Sequence, residues 1–241
     1  MKFFPFFSQR EDPDAARGRC GIGPSGERAK KTVQNETDRV IMKDKARPLR
    51  PPGEKKERIA MGEQIQAIDW AILHWIRDAL HCGVLDVLMP KITALGNAGL
   101  IWIAAAAAMT VSKKYRKFGI VLLAALTAGL LIGNLCLKNL VGRARPCWLE
   151  SLPLLIKNPR DYSFPSGHTL SSVIGASVLT AADRRFAFVA VPLAVLIAFS
   201  RLYLYVHFPT DVLASAALGV AVGLSSVAIA EKIAPGRAAQ G

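Results

Sequence analysis

Four short polar clusters interrupt an apolar chain, each where an apolar run begins or ends. Lys138 follows the run 118–137 and leads into Arg143 and Arg145. Ser166, Gly167 and His168 open the next run, Ser200 and Arg201 lie near the end of the one after, and His207 and Asp211 flank the start of the last. Lys138, Arg145 and Arg201 bring three cations together without matching acids, which suits a polyanion. The planar fork of arginine fits phosphate oxygens. The Ser-Gly-His turn offers free backbone N–H groups at a helix N-terminus, and Gly167 lets an anion come close. Ser166 can cap that helix or donate to the same anion. Two histidines beside a phosphate cradle provide a nucleophile and a general acid. His207 is the better nucleophile: Asp211 can hold one ring N–H and leave the other nitrogen free for phosphorus. Pro209 suits the first turn of a helix that keeps Asp211 within reach. His168 then protonates the leaving oxygen. No metal or cofactor is needed, because the cations stabilise the transition-state charge.

Each cluster alone has an ordinary explanation. Ser166-Gly167-His168 reads as a capping turn, and Lys138, Arg143 and Arg145 as charges flanking a membrane helix. Tyr203 and Tyr205 read as an aromatic belt, and His74 and His81 as interfacial side chains. The functional reading rests on conjunction. The clusters fall at an exit, an entry, an exit and an entry of successive apolar runs, so all four reach the same face of a membrane.

The runs near 92–112, 118–137, 167–182, 186–206 and 209–231 are the expected spans, the third of them short. Residues 64–81 place Ile65, Ile68, Ile72, Trp75, Ile76 and Ala79 on one helical face, but Asp69, His74, Arg77, Asp78 and His81 interrupt it. An Asp or Arg at a bilayer centre costs about 3 kcal/mol. This segment is therefore expected to lie in the interface as an amphipathic helix, with a sixth span as the alternative. Gly219-Val-Ala-Val-Gly223 is a small-xxx-small pattern, expected to serve packing within the chain rather than a dimer face.

Of the 241 residues, 51% are hydrophobic, and the net charge is +13. Residues 1–60 form a basic, Pro- and Gly-containing tail too polar to offset its ordering entropy, and Met61 could be the native start. Residues 61–233 form the membrane domain, and 234–241 a short tail. The basic residues line no single helix face and have no accompanying RNA motif, which excludes nucleic acid as the partner. The four cysteines include no C-x-x-C pair. The loops at 113–117 and 183–185 are basic, which puts them in the cytoplasm and the polar clusters on the extracytoplasmic face.

The blocks "KNLVGRARP" (138–146), "PSGH" (165–168) and "SRLYLYVHFPTD" (200–211) resemble the phosphatidic acid phosphatase type 2 superfamily, with every signature position matched. The resemblance covers roughly residues 64–231. It implies an all-α transmembrane bundle with a core like that of acid phosphatases and vanadium haloperoxidases, and metal-independent dephosphorylation through a phosphohistidine. By position, it implies His207 as nucleophile, Asp211 as its partner and His168 as leaving-group acid. Lys138, Arg145, Ser166, Gly167 and Arg201 match the family's phosphate ligands. The expected protein is a multi-pass plasma-membrane enzyme acting on a lipid phosphate or diphosphate. Undecaprenyl diphosphate is the first substrate, followed by phosphatidylglycerophosphate and phosphatidate. The alternatives are a lipid phosphotransferase with the same site, an anion transporter and, least suited to a bilayer, a haloperoxidase.

Overall fold

The computed structural model describes residues 52–150 and 152–234, and among these all regular structure is helical. The bundle lies within the unit Arg58–Gly241. The expected tail falls largely outside the described residues, although its last part is helical: α1 runs Pro52–Leu80. It is followed by α2 (Gly83–Leu95), α3 (Leu100–Val111) and α4 (Arg116–Gly129). A π-helical segment, Leu130–Leu137, continues α4 into the short α5 (Lys138–Val141). Then come α6 (Pro146–Leu149), α7 (Gly167–Ala182), α8 (Ala187–Tyr203) and α9 (Pro209–Ile233).

The short helix α7 is the centre of the bundle. It packs against α4, α8 and α9 and buries Leu170, Ile174, Ala176 and Val178. Its Ser172 accepts a hydrogen bond from the Trp102 indole of α3 at 3.1 Å. A methyl group on Gly219 or Gly223 of α9 would come within 2.8 Å of Val173 or Ser177 of α7. The small-xxx-small pattern is thus a seat for α7 inside the chain, as expected.

Among the described residues, three helical stretches are long and apolar enough to cross a membrane: Arg116–Leu149, Arg184–Tyr203 and Pro209–Ile233. The pair Gly83–Leu95 and Asn97–Val111, bent by 43°, makes a fourth if taken as one span. At 16 residues α7 falls short of that length, which its position tolerates because protein surrounds it rather than lipid. Leu131, Phe188, Val195, Leu213 and Leu224 point outward, an apolar exterior suited to hydrocarbon. The protein is a multi-pass membrane protein.

Helix α1 is amphipathic, but its buried side carries more than apolar residues. Ile65, Ile68, Ile72 and Trp75 face outward, while Leu73 and Ile76 turn into the core together with Asp69, which is wholly buried. Asp69 is inside because it meets a guanidinium there, and a paired buried charge escapes most of the penalty of an isolated one. Tyr203 and Tyr205 are buried too, with their hydroxyls donating to Asp86 (2.5 Å) and Glu150 (2.7 Å), so they are not belt residues. His74 and His81 stay exposed, as expected, and in addition pair with Glu150 (3.1 Å) and Asp86 (3.2 Å). Cys82, Cys136 and Cys147 are free thiols.

Candidate active site

Five structural pieces end at one side of the bundle and enclose a cavity of about 1000 Å³. The π-helical segment ends at Lys138, and an extra residue per turn is a common way to aim a functional side chain. The N-terminus of α7 brings Gly167 and His168, and the last turn of α8 brings Arg201. The strand of chain before α6 brings Arg145, and the connection into α9 brings His207. Lys138, Arg145, Gly167, His168, Arg201 and His207 all line this cavity. Four of them are almost wholly buried: Lys138, Arg145, Arg201 and His207.

His207 carries the most informative geometry. Arg145 Nη1 lies 3.0 Å from its Nε2 and also donates to the Val206 carbonyl at 2.6 Å. A guanidinium only donates, so Nε2 must be the ring's acceptor, and the proton sits on Nδ1. Asp211 Oδ2 is 3.8 Å from Nδ1, too far for a direct hydrogen bond. Ser163 spans the gap, with its Oγ 3.4 Å from Nδ1 and 2.5 Å from Asp211 Oδ2. The Ser163 hydroxyl donates to the carboxylate and accepts from the ring. Burial pushes the His207 imidazole down to about 3; Asp211 opposes that, and Arg145 and Arg201 add to it. The ring is therefore neutral at neutral pH, with an unprotonated Nε2 at the cavity wall.

The cations are unevenly satisfied. Asp161, in the connection between α6 and α7, pairs with Lys138 and accepts from Arg145 Nη2 at 2.8 Å. Burial raises the Asp161 carboxyl, but Lys138 and Arg145 outweigh this and hold it down at about 2. Its charged oxygens lie where a phosphate bound to Lys138 and Arg145 would place its own. Arg201 donates Nη1 to Thr93 at 2.6 Å, while its buried Nε has no partner among the described residues. A buried donor without an acceptor is costly, and an anion in the cavity would relieve it. Asn134 Oδ1, in the π-helical segment beside Gly167, is likewise unpaired.

His168 is held by the break between α2 and α3. There Ala98 and Gly99 adopt left-handed backbone angles, and Asn97 Oδ1 lies 3.0 Å from His168 Nε2. Gly96 makes room for this turn: a methyl group there would come within 2.9 Å of the His168 ring. Ser166 takes the capping alternative. Its hydroxyl accepts from Thr169 N at 3.4 Å, and its own N–H donates to Ser215 at 2.7 Å, so its side chain is turned from the cavity.

Behind His207 lies Arg143, expected only as a flanking charge. Its Nη1 donates to Asp211 Oδ1 and its Nη2 to Asp69 Oδ2, both at 2.6 Å. Sequence reasoning missed Arg143, Asp69, Ser163, Asp161 and Asn97 as parts of the site. Asp69 had a signal, an acid on an otherwise apolar helix. Asp161 and Ser163 stand in the polar stretch just before Pro165.

An apolar helical bundle whose cationic cavity opens beside a buried imidazole defines a membrane protein that handles anionic groups. A sequence model of the PAP2 superfamily matches residues 117–234. An undecaprenyl-diphosphatase of Sulfolobus acidocaldarius is 34% identical over 147 residues, 60% of this chain and 70% of that protein. The undecaprenyl-diphosphatase BcrC of Bacillus subtilis is 30% identical over 145 residues, covering 59% and 74%. The crystal structure of a transmembrane PAP2-type phosphatidylglycerolphosphate phosphatase from Bacillus subtilis superposes with a TM-score of 0.60 at 28% identity, over 72% of this chain and 90% of that one. Aquifex aeolicus LpxE also reaches 0.60, at 27% identity, over 67% and 95%. The chain belongs to the PAP2 superfamily.

Proposed function

We propose that this protein is a lipid phosphatase that acts on a phosphate or diphosphate head group through a phosphohistidine at His207. Undecaprenyl diphosphate is the first substrate, because the two undecaprenyl-diphosphatases reported above are at least 30% identical to this chain. One observation carries the lipid reading. The cavity that holds Lys138, Arg145 and Arg201 is the same cavity that Ile103, Leu123, Leu126, Leu130 and Ile174 line. A polar anion with an apolar tail matches both walls at once.

In the first step His207 Nε2 attacks the terminal phosphorus. The P–N bond forms as the bond to the leaving oxygen breaks. His168, entering the step as the imidazolium that the bound phosphate's negative charge favours, gives that oxygen its Nε2 proton and becomes neutral, the leaving oxygen replacing Asn97 as acceptor. Asp211, through Ser163, steadies the positive ring. Lys138, Arg145 and Arg201, with the N–H groups at the start of α7, take up the charge on the phosphoryl oxygens, and Ser166 fixes the shape of that turn. In the second step His168 takes a proton from water, which attacks phosphorus and releases phosphate and free His207. The cations supply the electrostatic work, so the reaction proceeds without a metal. The site opens at the extracytoplasmic face of the plasma membrane, the side opposite the basic loops at 113–117 and 183–185.

Purified protein in detergent, assayed with EDTA on undecaprenyl diphosphate, phosphatidylglycerophosphate and phosphatidate, tests the reading. Release of free phosphate is expected, fastest from the prenyl diphosphate. A strict requirement for a divalent cation, or transfer of phosphate to a lipid acceptor in place of release, would contradict it.

A further inference from the structure

Behind the nucleophile lies a charge network of which the proposed reaction uses only Asp211. Arg143 forks between two carboxylates. Its Nη1 holds Asp211 Oδ1 and Thr210 Oγ1, at 2.6 and 2.7 Å, and its Nη2 holds Asp69 Oδ2 and Gln66 Oε1, at 2.6 and 2.7 Å. Asp69 also reaches α9 directly. Its Oδ1 accepts from Thr210 N at 2.9 Å, and its Oδ2 accepts from the Thr210 hydroxyl at 2.5 Å. Thr210 N belongs to the first turn of α9, where backbone donors have no partner within the helix. Asp69 therefore caps α9 from another helix, one residue ahead of Asp211. It comes from α1, outside the region that the superfamily's sequence model matches.

We propose that Asp69 is a positioning residue for the His207–Asp211 pair, acting through Arg143 and Thr210. The inference rests on His207 being the nucleophile. Two effects follow from the geometry. The first is orientation: Asp69 docks the turn that carries Asp211, so Asp211 meets Ser163 and the imidazole at a set angle. The second is charge. Arg143 paired with Asp211 alone would cancel the carboxylate that His207 needs when its ring becomes positive. With Asp69 on the other arm of the fork, the guanidinium is shared and one negative charge remains for the imidazole. Breaking such a network by removing one member leaves the others buried and unbalanced.

The test compares Asp69→Asn, Arg143→Gln and the double variant with the wild type, in detergent. Asp69→Asn keeps the shape and removes the charge. Its kcat is expected to fall about tenfold, the loss of one hydrogen bond to a charged group, with KM unchanged. The double variant is expected to be no slower than Arg143→Gln alone, because the two act as one unit. A second readout does not depend on lipid turnover: the rate at which diethyl pyrocarbonate modifies His207, followed by peptide mass spectrometry. It should slow in Asp69→Asn while modification of the exposed His74 stays the same. A wild type without lipid phosphatase activity would overturn the proposed function and leave this second readout to judge Asp69. Unchanged kcat and unchanged His207 modification in Asp69→Asn would overturn the inference, as would multiplicative losses in the double variant. Should Asp69→Asn not fold, Thr210→Val removes one contact to Asp69 and is read in the same way.

Discussion

The two sides of the His207 ring are built on opposite principles. Toward the cavity, Nε2 meets Arg145, with Lys138 and Arg201 nearby, the acid Asp161 standing against Lys138 and Arg145, and a buried Arg201 nitrogen without a partner among the described residues. Away from the cavity, Nδ1 meets Ser163 and Asp211, and behind them Arg143 and Asp69 bond one another almost completely. Both sides use arginine. On the front its donors are partly idle and wait for an anion. On the back they are spent on carboxylates whose positions they fix. A group that must bind and release a ligand keeps unsatisfied donors, whereas a group that only holds a nucleophile in place does not.

The contrast orders the effects of substitution. His207→Ala removes the atom both sides serve, and turnover should fall by at least about a thousandfold while the protein still elutes as a folded species. Full activity would reassign the nucleophile. On the front, Arg201→Ala should lower kcat by about a hundredfold, as expected for a donor aimed at transition-state charge. A rise in KM alone would mean that Arg201 serves ground-state binding instead. On the back, Ser163→Ala should lower kcat about tenfold without moving KM, because Asp211 then lies 3.8 Å from Nδ1 with nothing between. A silent Ser163→Ala would show that the carboxylate moves up to the ring by itself.

The smaller effects probe the front again. Asp161 competes with phosphate for Lys138 and Arg145, and its side chain is 54% exposed. Exposed pairs are weak, so Asp161→Asn should lower KM only about threefold. A raised KM would show that Asp161 orients the cations rather than opposing the substrate. A separate effect, at low pH only, is on stability. The His207 ring is held down at about 3, against an ordinary value of 6.5. Below that ordinary value the unfolded chain takes up a proton that the folded site refuses. Stability is therefore full above about pH 6.5 and declines as pH falls toward 3. His207→Asn should flatten that part of the curve of melting temperature against pH.

The front of the site was legible in the sequence and the back largely was not. Lys138, Arg145, His168, Arg201 and His207 could be placed together because each marks the end of an apolar run, and hydropathy alone decides which ends share a face. Asp211 followed from helical spacing. Arg143 and Asp69 could not be paired, because they lie 74 positions apart and their meeting depends on how α1 turns against α9. The outward run of Ile65, Ile68 and Ile72 concealed this by giving α1 an apolar face directed at lipid rather than at the core. Ser166 shows a different limit: its two possible roles used the same residue type, and only the direction of its hydroxyl toward Thr169 separates them.

The central claim is that phosphate passes through His207. Rapid mixing of the protein with a labelled lipid diphosphate, quenching at alkaline pH and peptide mass spectrometry measure this directly. Phosphate on His207 is predicted within the first turnover, absent from His207→Asn and accumulating when His168 is replaced by Ala with an activated leaving group. Phosphate on another residue, or turnover with no phosphoenzyme at any time point, would contradict the account.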